Sequence, residues 1–147
     1  MEEIIQEKIS ADHLLYVSLK YTKTCDVIMN LLLRWRKMIE MCILYILRDA
    51  KKKGKIKEVS DNAIGRINDI KVLLKKDKNA LNTIDFFMML RKLETLDTER
   101  IGEFRKNVTL KVIFRGEEIN INLEKLKEYA EMLENFVDMT KKLLGEK

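Results

Sequence analysis

The sequence predicts a mainly α fold: a helical bundle of four to six helices with one short β-hairpin near the C-terminus. The 147 residues contain no proline, and 46% of them are hydrophobic beside 36% charged. Such a composition favours amphipathic helices. Apolar and polar residues alternate, as they do in a β-strand, only between residues 108 and 122. We expect a single helical domain over residues 1–147, because no Pro-, Gly- or Ser-rich linker and no internal repeat divides the chain.

The first predicted helix runs from about Glu2 to Leu19. Its apolar residues form two adjacent stripes at three- and four-residue steps. One stripe also contains a lysine, and its members are Ile5, Ile9, Tyr16 and Lys20. The other stripe is wholly apolar, and its members are Ile4, Ala11, Leu15 and Leu19.

The second predicted helix runs from Cys25 to about Lys53, with Thr24 as its N-cap and Gly54 just past its end. Apolar side chains recur along it at helical spacing: Ile28, Leu31, Leu32, Trp35, Ile39, Cys42, Ile43, Ile46 and Ala50. Its C-terminal half is apolar on nearly every side. This is typical of a helix at the centre of a bundle or in a subunit interface.

Three further helical segments are expected before the hairpin. Ser60 or Asp61 is the predicted N-cap of a third helix, and Asn79 or Asn82 that of a fourth. A shorter helical piece is expected at about 97–106.

The predicted hairpin covers about 108–122. Val108–Phe114 is β-branched and aromatic, Arg115–Glu118 is a turn, and the pattern then alternates. Because an isolated hairpin is marginally stable, we expect it to pack against the helices. Asn122 is the predicted N-cap of a last helix at about 123–144.

The chain carries no sequence signal for a membrane or for secretion. Its longest apolar run, Met41–Leu47, is far shorter than the roughly 20 residues of a membrane-spanning helix. The acidic first residues are wrong for a signal peptide. We therefore predict a cytoplasmic protein in which Cys25 and Cys42 are reduced and buried. A Lys- and Glu-rich composition with one glutamine is typical of thermophile proteins and predicts a thermophilic archaeal source.

Basic charge is concentrated in the middle of the chain. Residues 51–115 carry 17 basic and nine acidic side chains. The candidate nucleic-acid-binding residues are Arg48, Lys51, Lys52, Lys53, Lys55, Lys57, Lys75 and Lys76. Together with Lys78 they form two runs, 48–57 and 75–78, that could neutralise RNA or DNA phosphates. The simpler interpretation is that lysines stabilise a helix end and keep the protein dissolved, since no RNA-recognition, KH or zinc-finger signature accompanies them.

The second helix also presents an apolar side outside its main stripe. We name this side the seam, and its members are Met41, Leu44 and Tyr45, framed by Lys37 and Arg48. The seam predicts self-association, so the first functional hypothesis is a non-catalytic interaction module that forms a homodimer or binds a protein partner. The alternative hypothesis is a basic RNA- or DNA-binding module that uses the two lysine-rich runs.

No catalytic or metal-binding constellation is present in the sequence. His13 is the only histidine, and the two cysteines fall on different helical faces, so no zinc ligand set can be assembled. Phosphate-binding glycine loops and a nucleophile-elbow motif are absent. The acidic residues are dispersed among lysines. We therefore predict no catalytic residues, no cofactor and no metal.

The order of helices around a small hairpin resembles the HEPN superfamily, and is most similar to its small archaeal members. The segments that carry the resemblance are Ala11–Tyr16, the long helix from Cys25, Val112–Arg115, Ile121, Lys125 and Tyr129. The ribonucleases of that superfamily use an arginine followed four to six residues later by a histidine. Here Arg100 and Arg105 are followed at that distance by other residues, and no arginine precedes His13. The resemblance therefore implies a non-catalytic relative that dimerises, binds RNA or nucleotide, or partners another protein.

Overall fold

The computed structural model describes residues 1–145, which form five helices and a three-stranded antiparallel sheet. The first helix, α1, is Glu2–His13, and it continues through a π-helical turn, Leu14–Ser18, and a closing turn, Leu19–Tyr21. The other helices are α2 Cys25–Lys52, α3 Ala63–Leu73, α4 Lys78–Lys92 and α5 Leu123–Leu143. The strands are β1 Thr98–Ile101, β2 Thr109–Phe114 and β3 Glu117–Ile121. The mainly helical class is thus confirmed, and the predicted hairpin is present as two strands of a three-stranded sheet.

Helix α2 lies at the centre of the bundle, and α1, α3, α4 and α5 all contact it. Its main stripe is buried, as the periodicity predicts, and Trp35 is 2% exposed. The Trp35 ring meets Phe86 of α4 and Tyr129 of α5 edge-on, at centroid distances of 6.1 and 6.4 Å. Helices α2, α4 and α5 therefore meet at one aromatic cluster, which fixes how α4 and α5 pack against α2.

The π-helical turn keeps both ends of α1 on the core. In an α-helix each four-residue step drifts by about 40° around the axis. Ala11, Leu15 and Leu19 are separated by two such steps, and yet all three are buried. The wider turn over Leu14–Ser18 offsets the drift. The wholly apolar stripe of α1 is consequently the buried one.

The caps of α2 and α5 are where the sequence places them. The Thr24 hydroxyl accepts a hydrogen bond from the Val27 amide at 3.3 Å. The Asn122 side chain accepts one from the Lys125 amide at 2.8 Å. Both helices therefore start with a satisfied amide in the first turn.

The caps predicted for α3 and α4 are wrong by one to five residues. Asn62, rather than Ser60 or Asp61, accepts the Gly65 amide at 2.7 Å. Asp77, rather than either asparagine, accepts the Ala80 amide at 3.0 Å. Several short polar residues precede each helix, and any of them has the chemistry of an N-cap. Tertiary packing determines which of these polar residues becomes the N-cap.

The helical piece predicted at about 97–106 is also wrong. Thr98–Ile101 is instead β1, which pairs antiparallel with β2 in the register Thr98↔Val112. The β2–β3 hairpin is confirmed, but its turn is only Arg115 and Gly116. Glu117 and Glu118, predicted as part of the turn, lie in β3 and pair with Phe114 and Ile113. Pairing with the second edge of β2 outweighs the local helix preference of the segment. Leu110, Val112 and Ile121 bury the inner face of the sheet.

No helix within residues 1–145 is long and apolar enough to cross a membrane.

Candidate nucleic-acid interface

The first lysine-rich run occupies the C-terminal end of α2 and the turn that follows it. Residues 48–57 contain six basic side chains and one acidic side chain, Asp49. All six basic residues are exposed. The Lys53 ammonium donates to the Leu143 carbonyl at 3.2 Å, which brings the end of α5 beside the end of α2. We call this part of the molecule, residues 48–57, the basic end.

A concavity of about 700 Å³ lies at the basic end. Its lining comes from three helices. Met1 precedes α1, Leu144 follows α5, and the remaining residues belong to α2: Tyr45, Arg48, Asp49, Lys51 and Lys52. Three of these side chains are cationic and one is acidic. An anion placed here therefore meets several positive groups from one helix and half-buried apolar side chains from two others.

Two lysines of the basic end already hold carboxylates. Lys51 lies 3.1 Å from Glu58, and Lys53 lies 2.8 Å from Asp49. Both lysine side chains are about half exposed. Exposed pairs of this kind contribute only about 0–1 kcal/mol, so a phosphate can compete with them. Within residues 1–145, the other four basic side chains of the run make no ion pair.

The second run is not joined to the first. Lys75 and Lys76 are exposed in the turn after α3. In the described part of the chain, no ion pair or side-chain hydrogen bond links them to residues 48–57. Lys78 begins α4 and is likewise exposed. The candidate interface therefore rests on the basic end alone.

The seam is half-buried, and α1 lies beside it at Lys37 and Tyr45. Lys37 is exposed and pairs with Glu7 of α1 at 3.1 Å. Met41 and Tyr45 are half-buried and pack against the core, and Leu44 is also half-buried. The sequence could not show this burial, because it depends on how the other elements pack against α2. Self-association through the seam stays a prediction.

The cysteines offer no reactive thiol. Both are free and buried. Burial raises the pKa of the Cys42 thiol to about 12 and also raises the pKa of Cys25, so neither is a thiolate near neutral pH. Among residues 1–145, no group of three or more His, Cys, Asp or Glu side chains is arranged to hold a metal ion.

The structure exposes one surface that the periodicity did not identify as a candidate site. The stripe of α1 that contains a lysine faces outward, with Ile9 55% exposed and Tyr16 56% exposed. The signal was present, because a stripe interrupted by Lys20 is less suited to the core than its wholly apolar neighbour.

No protein-family model matches this chain, and neither a curated protein nor a solved structure matches it. The HEPN-like resemblance therefore stays a prediction.

Proposed function

We propose that this protein binds the phosphodiester backbone of RNA or DNA through its basic end. One observation carries the proposal: Arg48, Lys51 and Lys52 line the same concavity of about 700 Å³. Cations gathered on one surface displace the counterions of a nucleic acid, and this displacement supplies most of its sequence-independent affinity.

The number of cations exceeds what the helix end requires. Basic groups in the last turn stabilise a helix through its dipole, but the effect is confined to that turn. Lys55 and Lys57 lie beyond the end of α2 and are exposed. These two lysines extend the positive surface away from the helix. Helix stabilisation therefore does not explain them, and their position suits contact with successive phosphates.

Tyr45 adds a second kind of contact. Its ring is half-buried in the wall of the concavity, beside the cations. Bases of a single strand stack on exposed aromatic faces with little regard for sequence. The proposed ligand is therefore a single strand, with phosphates at the cations and a base against the exposed part of the ring.

The test is fluorescence anisotropy with a fluorescein-labelled oligouridine, and with oligothymidine as the DNA counterpart. Lys52→Glu/Lys55→Glu removes two cations that make no ion pair in residues 1–145. We expect binding about tenfold weaker or more at low salt. The slope of log affinity against log salt should also fall by about 1.4, since each lost contact to a single strand removes about 0.7.

The matched control is Arg105→Glu/Lys106→Glu, which changes the net charge equally. Both residues are exposed. Their loop is held at the start of α2, where the Phe104 amide donates to the Lys23 carbonyl at 2.6 Å. The 28 residues of α2 separate the two sites by about 40 Å. Equal loss of affinity in both variants would show a nonspecific charge effect and overturn the proposal, as would absence of binding by the unmodified protein.

A further inference from the structure

Helix α1 presents an apolar outer face to solvent. We define this outer face by its exposed hydrophobic side chains, which are Ile5, Ile9, Tyr16, Val17 and Tyr21. They make up five of the ten large hydrophobic side chains that are exposed within residues 1–145. Scattered apolar residues are ordinary on a protein surface, but a row of them along one helix is typical of an interaction surface.

The two ends of α1 carry opposite charge. Glu2 and Glu3 are exposed in its first turn. Lys20 and Lys23 lie at its far end, where Lys127 of α5 is also close. Among the described residues, none of these five side chains takes part in an ion pair. The Lys23 ammonium donates to the Lys20 carbonyl at 2.6 Å, and the Lys20 ammonium lies 5.8 Å from the Tyr21 ring centroid. Neither contact involves a carboxylate, so both the acidic end and the lysine end keep a charge that can pair with another molecule.

A hollow of about 250 Å³ adjoins the lysine end. Its floor is apolar and consists of Leu15, Leu19 and Leu123. Tyr16 and the three lysines complete its lining. The shape and charge of this hollow suit an apolar side chain that is accompanied by carboxylates.

We propose that a second copy of this chain docks on the outer face of α1, with the two α1 helices antiparallel about a two-fold axis near His13. Such an axis brings Ile9 of one copy towards Tyr16 of the other, and each acidic end towards the other copy's lysine end. Every contact then occurs twice, as a two-fold interface requires. The self-complementary charge is the reason for choosing a second copy over an unrelated protein.

The two ends of α1 lie at nearly equal distances from the proposed axis, and their charges are opposite. The helix covers residues 2–21, so it is about 30 Å long. Glu2 and Lys23 lie at nearly equal distances along the chain from His13. In the antiparallel arrangement the Ile5 side chain, next to the two glutamates, is placed at the hollow.

The acidic end adjoins the basic end, because Met1 lines the concavity there. Ile9 does not line that concavity, and the outer face does not include Lys52 or Lys55, so either proposal can still fail alone.

The first test is light scattering during size-exclusion chromatography, over a range of micromolar concentrations. We expect the unmodified protein to be a dimer. Ile9→Glu should raise the dissociation constant about tenfold or more, because it places a charge at the centre of the contact. Ile64→Glu is the matched control, since Ile64 is a helical isoleucine of nearly the same exposure, 56% against 55%. Leu44→Glu tests self-association through the seam as the alternative: if the dimer forms through the outer face of α1, this variant should remain dimeric.

Charge reversal tests the orientation of the two helices. Glu2→Lys/Glu3→Lys and Lys20→Glu/Lys23→Glu should each weaken the dimer, since like charges then face one another. A chain that carries all four changes should dimerise again, because each end once more meets its opposite. A monomeric unmodified protein overturns the proposal. A dimer that dissociates in Leu44→Glu but not in Ile9→Glu also overturns it. The same holds if the fourfold variant dimerises as weakly as the two double variants.

Discussion

At its N-terminal end α2 begins against the sheet, whereas its C-terminal end opens onto a cation-lined concavity. At the first end the Cys25 thiol lies 3.3 Å from the Thr109 carbonyl of β2. Asp26 in the first turn is paired with Arg100 of β1. At the second end, three cations face a concavity of about 700 Å³. The fold therefore covers one end of this helix and leaves the other end accessible. We call the N-terminal end of α2 the closed end and its C-terminal end the open end.

The difference shows which charges the fold itself explains. Acidic residues favour the start of a helix and basic residues favour its end, and α2 follows this rule at both ends with Asp26, Lys51 and Lys52. At the closed end the fold supplies Arg100 as a partner for the acid. At the open end the cations outnumber the acids. This surplus of positive charge is what the proposed function uses.

Removal of an apolar contact at the closed end should have the largest effect on stability. Leu110 on β2 is 1% exposed, and β2 packs against α2. Leu110→Ala should lower the free energy of unfolding by about 2–5 kcal/mol, because it leaves a cavity between the sheet and the helix. Urea unfolding followed by circular dichroism measures the loss.

The matched leucine at the open end is Leu144, which is half-buried and lines the concavity. Leu144→Ala should cost about 1 kcal/mol or less, because its side chain buries less apolar area. Equal losses in the two variants would contradict the distinction between a closed and an open end.

A smaller effect is expected from the cap of the closed end. Thr24→Ala removes the acceptor of the Val27 amide and should destabilise the protein by about 1 kcal/mol. The same unfolding experiment measures it. Thr24→Ser keeps the hydroxyl and should recover most of the loss. If serine does no better than alanine, the hydroxyl is not what stabilises this helix start.

The closed end was predictable only in part. Thr24 and the periodicity after it lie within one short stretch of sequence, so the start of α2 could be predicted from local rules. The partner of Asp26 could not be, since Arg100 reaches it only because residues 98–101 form a strand. That strand depends on pairing with β2, and pairing between distant segments leaves no local signal.

The open end shows the same division between local and distant information. The cations of the basic end follow one another in the chain, so the candidate residues could be predicted. The concavity could not be, because Leu144 and Met1 reach it from other helices. The seam illustrates the reverse case. Its apolar residues were identified from α2 alone, but their exposure depends on the core that packs against Met41 and Tyr45.

The smallest effect is expected from the ion pair of the closed end, and it depends on pH. Hydrogen bonding to Arg100, and then the positive charge of that guanidinium, lowers the pKa of Asp26 from its ordinary value of 3.8. A carboxyl with a lowered pKa stabilises the fold above that ordinary value, and the contribution disappears as pH falls further. The unmodified protein should therefore be the more stable one above pH 3.8, and its advantage over Asp26→Asn should shrink as pH falls below that value.

The control for this comparison is Asp138→Asn on α5. Asp138 is exposed and makes no ion pair in the described part of the chain, so its substitution should leave the acid dependence of unfolding unchanged. Added salt should shrink the Asp26 effect, because exposed charges are screened. Identical pH profiles for the two variants would mean that Arg100 does not hold Asp26 in solution. The closed end would then be joined by its apolar contacts and its backbone alone.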